Sequence, residues 1–65
     1  MPLSLAAMEQ LLREAGAKRI GEDAKAALRE ACEEYAKEVG EKAAALAAHA
    51  GRRTVKAADV KLARK

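Results

Sequence analysis

Aromatic residues are nearly missing from this chain of 65 residues: it has no Phe, no Trp and one tyrosine, Tyr35. Its apolar content is therefore mostly Ala and Leu, which bury little area each. A chain of this size rarely builds more than a few kcal/mol of core stability unaided. The common supplements are excluded in turn. Cys32 is the single cysteine, so no intrachain disulfide forms, and with one His beside it a four-ligand zinc site is ruled out. No apolar run reaches transmembrane length, and Met1–Leu12 lacks the basic start and long greasy centre of a secretory signal. A lone thiol fits a reducing interior, so the expectation is an intracellular protein without a membrane span. Oligomerisation is the supplement that remains, and one small domain covering residues 1–65 is expected to pair with another chain.

Proline is also scarce, with Pro2 the only one, and from Glu22 to Ala50 the sole glycine is Gly40. Across that stretch apolar residues recur at Ala24, Leu28, Ala31, Cys32, Tyr35, Val39, Ala43, Leu46, Ala47 and Ala50. Spacing of three and four lays a stripe along one side of a 3.6-residue helix. At 1.5 Å per residue the helix would be about 43 Å long, more than a compact monomer of this size can cover. The stripe asks for a second copy, with Leu28, Cys32, Tyr35 and Val39 as the expected dimer core.

Shorter helices flank it. Ser4 is a suitable N-cap for a first helix over Leu5–Ala15, with Leu5, Met8, Leu11, Leu12 and Ala15 on its apolar side and Gly16 as the stop. Ala17–Gly21 forms the first loop, and Glu22 and Asp23 suit the positive end of the long helix. Gly51 stops that helix, Arg52–Val55 forms the second loop, and a last helix begins at Lys56 or Ala57 with Val60 and Ala63 turned inward. Ile20 and Val55 are isolated β-branched loop residues that could pair as a minimal strand. Their loops lie at opposite ends of the long helix, so only two antiparallel copies would bring them together.

Charge is unevenly spread over these segments. The net +3 hides a balance of +1 for residues 1–21, −3 for 22–50 (four bases, seven acids) and +5 for 51–65, where six bases face Asp59 alone. Positive charge gathered in loops and at the chain's ends is the pattern of a surface that meets a polyanion. The acids Glu30, Glu33, Glu34, Glu38 and Glu41 read as a solvated helix face with partners such as Glu33–Lys37 and Glu38–Lys42. On a convex helix without a pocket they carry no acid–base catalysis. His49, with no second ligand or nucleophile nearby, is neither a metal site nor a catalytic base. No enzyme activity, small-molecule substrate or cofactor is expected. A membrane-surface amphipathic helix is the other class considered, and the acidic central helix argues against it.

The run Ala48-His49-Ala50-Gly51-Arg52-Arg53-Thr54-Val55-Lys56-Ala57-Ala58-Asp59-Val60 closely resembles the archaeal histones. Glu14-Ala15-Gly16-Ala17-Lys18-Arg19-Ile20 and Asp23-Ala24 match the same family without gaps, so the resemblance spans essentially the whole chain. It implies an all-α histone fold (short helix, long central helix, short helix) in a head-to-tail handshake dimer. It also implies that the dimer binds, bends and compacts double-stranded DNA without base readout, as a cytoplasmic protein of the nucleoid. By the same resemblance Arg19 would enter the minor groove, and Thr54 would bind phosphate beside the partner chain's arginine at that position. Arg53 and Arg13 would contact phosphate, as would amides near Ser4, with Lys18 and Lys56 in the same DNA-binding set. Arg52 and Asp59 would form an intrachain ion pair that fixes the second loop. Leu46, His49, Asp59 and Leu62 would join dimers into a tetramer or longer assembly on DNA. Gln10 departs from the family, standing where many members carry a base. The alternative function is a histone-fold protein that heterodimerises with a different chain in a transcription-related assembly.

Overall fold

The computed structural model describes residues 3–65; Pro2, expected to lie outside the first helix, is beyond the described residues. Three helices follow in order: α1 (Leu5–Glu14), α2 (Glu22–His49) and α3 (Ala57–Ala63). Contacts divide the chain into two compact units, 1–34 and 35–65, with α2 running through the boundary. The first holds five bases and seven acids, a balance of −2, and the second eight bases and three acids, a balance of +5.

In the first unit, the Ser4 hydroxyl caps α1 by accepting from the Ala7 N–H at 3.0 Å. The helix stops one residue before the expected Ala15, which becomes its C-cap. Gly16 follows at φ 110°, donating to the Arg13 carbonyl while Ala17 donates to that of Leu12. This pair of bonds is the Schellman closure, and it needs a residue that accepts positive φ. Met8 is buried at 2 % exposure, and Leu12, Ile20, Leu28 and Cys32 are half-buried. Leu5 and Leu11 stay exposed, so only part of the expected α1 stripe is covered within one chain. An ionic latch does the rest: the Lys25 ammonium lies 2.6 Å from Glu9 of α1 and 3.0 Å from Glu22. The Leu3 N–H donates to the Glu33 carboxylate at 3.3 Å, in place of the expected Glu33–Lys37 pair.

The second unit repeats the helix stop. α2 ends at His49, one residue before the expected Ala50. Gly51 adopts φ 77° and donates to Ala48, and Arg52 donates to Ala47. Val39, Ala43 and Ala63 form the core cluster, with Leu46 packed against it. Alanine at 43, 47 and 63 brings little apolar area to this core. Along the helix, Glu38 and Lys42 pair at 3.4 Å.

One expectation for a buried residue needs correction, and the α2 stripe is covered only in part within one chain. Val60 is 38 % exposed; the inner face of α3 is instead set by Asp59 and Ala63, four apart, and Val60 sits one residue off it. Tyr35 is 56 % exposed, and Ala24, Ala31 and Ala50 of the α2 stripe are exposed too. One chain buries only Val39, Ala43 and Ala47 of that stripe, because it supplies no element long enough to cover 28 residues of helix. No strand occurs among the described residues, and pairing of Ile20 with Val55 would require a second chain.

The glycines allow a direct test. Gly51→Ala and Gly16→Ala each force a Cβ into the left-handed region and should cost about 1 kcal/mol. Gly40→Ala, mid-helix and with open space at the Cβ position, should gain up to about 1 kcal/mol. Thermal melting reads the two signs, as shifts of roughly 4–8 °C in opposite directions.

Candidate nucleic-acid interface

The second loop is built around one carboxylate. Asp59, in the first turn of α3, is 5 % exposed. Its Oδ1 accepts from Arg52 Nη2 at 2.8 Å and its Oδ2 from Arg52 Nη1 at 2.9 Å, a two-pronged fork. Oδ2 also accepts from the Lys56 N–H at 2.8 Å, closing the start of α3. Lysine has no acceptor with which to cap the N2 or N3 amide, and Asp59 at N3 instead satisfies the N–H of the N-cap residue itself. Arg52 Nη1 then reaches back to the Thr54 carbonyl at 3.0 Å. The ends of the loop and its middle are thus tied to one ion pair. The Arg52 guanidinium, with the Lys56 N–H second, holds the Asp59 pKa down at about 2, from an ordinary 3.8. Arg52 is raised in turn by its hydrogen bonds to Asp59. The pair is more enclosed than the surface ion pair that spacing alone implies.

What this clamp leaves outside is positive. Arg53, Thr54 and Lys56 are exposed. Among the described residues no carboxylate lies within ion-pairing distance of Arg53 or Lys56. The first loop, in the other unit, repeats the pattern: Lys18 and Arg19 are exposed and likewise free of carboxylates. Arg13 differs. Its Nη2 and Nε bind Glu9 at 3.0 and 3.2 Å, and Nη1 donates to the Lys18 carbonyl at 3.4 Å. Arg13 therefore steadies the first loop and is less free for an outside anion than the loop arginine. Glu9 is held below its ordinary pKa, first by Lys25 and then by Arg13; Lys25 is raised by Glu9 and Glu22. Gln10, at the departure from the family pattern, donates to Glu14 at 3.2 Å.

Leu46, His49 and Leu62 come together in the second unit, lining a groove of about 570 Å³ with Lys42, Ala45, Ala63 and Lys65. Asp59, grouped with them by resemblance, is not part of that groove, because its carboxylate turns inward to Arg52. The Glu9–Lys25 latch was not legible beforehand: its members lie sixteen residues apart with no shared periodicity.

A family model described as histone-like transcription factor (CBF/NF-Y) and archaeal histone matches residues 1–63. The chain belongs to the archaeal histone family. It is 59 % identical over 61 residues to a HAN1 archaeal histone subunit of Thermococcus zilligii, covering 94 % of this chain and 91 % of that protein. Identity to probable archaeal histone 3 of Methanocaldococcus jannaschii is 46 % over 61 residues, with the same coverage. The three helices are the histone fold, which in this family pairs head to tail as a handshake dimer. Archaeal histones are DNA-binding chromatin proteins, and none of the described helices is long and apolar enough to cross a membrane.

Because the folded Asp59 pKa is depressed, its pair contributes stability that is complete above about pH 4 and lost as pH falls towards 2. Melting temperature measured across that window should fall less steeply for Asp59→Asn than for the wild type, and the variant should be the less stable of the two at neutral pH.

Proposed function

We propose that this archaeal histone-family chain is a homodimer that binds, bends and compacts double-stranded DNA without base readout, as part of nucleoid architecture. The observation that carries the reading is the set of exposed loop cations with no carboxylate within ion-pairing distance among the described residues: Lys18 and Arg19 before α2, Arg53 and Lys56 after it. In a head-to-tail dimer, the first loop of each chain meets the second loop of the other. That arrangement joins Arg19 to Arg53 and Thr54 in one anion-binding edge, twice per dimer. The Arg52–Asp59 clamp supports it by fixing the loop that presents Arg53 and Thr54, so less conformational entropy is lost on binding. Charge favours the same antiparallel order, since the −2 half of one copy then faces the +5 half of the other.

Arg19 is the residue for the minor groove, where narrowing deepens the negative potential and draws arginine without reading bases. Arg53, Thr54, Lys18 and Lys56 are the phosphate contacts, with Arg13 a lesser one. Leu28, Cys32, Tyr35 and Val39 form the seam between copies, which accounts for a tyrosine left in water by the single chain. Further assembly on DNA would use the groove of Leu46, His49 and Leu62. The chain is not an enzyme on this reading and needs no cofactor. A second reading, pairing with a different chain, draws support from the relative whose name makes it one component of a larger assembly. Sedimentation of the purified chain separates the two, because a stable homodimer counts against an obligatory foreign partner.

Affinity should come mainly from phosphate neutralisation, with log affinity falling linearly against log salt. Arg19→Ala should weaken binding to all sequences alike, lower the slope by about 2 per dimer, and leave sedimentation unchanged. A salt-independent affinity would overturn the loop assignment.

A further inference from the structure

Glu9 stands to the first loop as Asp59 does to the second. Its two carboxylate oxygens are divided between two cations. Oε1 lies 2.6 Å from the Lys25 ammonium of α2, and Oε2 accepts from Arg13 Nη2 and Nε at 3.0 and 3.2 Å. Arg13 keeps Nη1 for the Lys18 carbonyl, at 3.4 Å. That carbonyl belongs to the planar peptide ending at the Arg19 nitrogen. Contacts therefore run from α2 through Glu9 and Arg13 to the backbone that carries Arg19. Lys25 is the enclosed end of the chain, with its side chain 13 % exposed and a second acid, Glu22, at 3.0 Å. A lone surface pair holds little in place, whereas a carboxylate gripped from two helices has fewer ways to leave. The second loop uses the same device, since Arg52, held by Asp59, donates to the Thr54 carbonyl.

We propose that Glu9 and Arg13 are positioning residues for Arg19, with Glu9 keeping Arg13 as a brace on the first loop instead of a ligand of phosphate. Holding the peptide that precedes Arg19 leaves less conformational freedom to lose when that side chain enters a groove. The Glu9 charge has a second effect, because a guanidinium already matched by a carboxylate releases few counterions from DNA. Removing this acid therefore frees a cation and loosens a loop at once, two changes that separate measurements can read. The inference rests on the reading that Arg19 meets DNA.

The test measures log affinity against log salt on one short duplex for Arg13→Gln, Glu9→Gln and the double variant, with NMR relaxation of the Arg19 amide in the free protein. Arg13→Gln should weaken binding about fivefold at fixed salt yet change the slope by less than about 0.5 per chain. Glu9→Gln should steepen the slope by about 1 per chain, as the released guanidinium turns to phosphate, and the double variant should lose that gain. The Arg19 amide should become more mobile in both single variants while the Arg53 amide keeps its wild-type order. A slope lower by about 1 per chain in Arg13→Gln, an unchanged slope in Glu9→Gln, or an Arg19 amide unmoved in both overturns the proposal. Arg19→Ala is measured alongside. If it lowers the slope while the brace fails these readings, the loop reading stands alone; if it leaves the slope unchanged, both fall. Matched melting and sedimentation exclude a folding defect, and if Glu9→Gln does not fold, Arg13→Gln decides through its own slope and relaxation.

Discussion

A carboxylate withdrawn from water needs its counter-charge in place, and the second loop is organised by that requirement. Asp59 sits on α3 with little exposure, so Arg52 must fold back to meet it, and the chain between them must bend accordingly. The Lys56 N–H is drawn to the same oxygen, which sets where α3 begins. Thr54 is fixed through its carbonyl by the same guanidinium. The presentation of Arg53 and Thr54, the start of the last helix and the packing of Ala63 thus trace to one ion pair. Removing either partner would leave a charge without its match, a worse outcome than replacing both.

The opposite economy governs the rest of the chain. Its covered residues are mostly small: alanines at 43, 47 and 63, beside Val39 and Met8. Such a core brings little apolar area. Leu5, Leu11, Tyr35, Val55, Val60 and Leu62 remain in solvent in the single chain. Apolar surface distributed over all three helices is what a polypeptide shows when part of its core is completed by another chain.

Where the fold was legible, the signal was local. Ser4, Gly16 and Gly51 mark helix ends because a hydroxyl cap and a positive φ are chemical requirements of single positions, and the helix boundaries fall within a residue of those marks. Periodicity placed Val39, Ala43 and Ala47 on one side of α2. It failed at Val60, since a seven-residue helix has too few turns to choose between adjacent faces, and the choice fell to Asp59. Long-range polar contacts were beyond reach as well. Nothing in the spacing of Glu9 and Lys25, or of Leu3 and Glu33, distinguishes them from other acids and bases on the same helices. Of the candidate interface, the positions of the cations were visible in sequence. Which of them were already engaged was not: Arg13 is tied to Glu9, whereas Arg53 meets no carboxylate among the described residues.

The two loops share a construction. Each leaves its helix through a glycine whose flanking bonds close within six residues, Leu12 to Ala17 and Ala47 to Arg52. Such bonds need only local chain closure. Neither turn borrows a bond from outside its own chain, so a partner contributes nothing to closing either one.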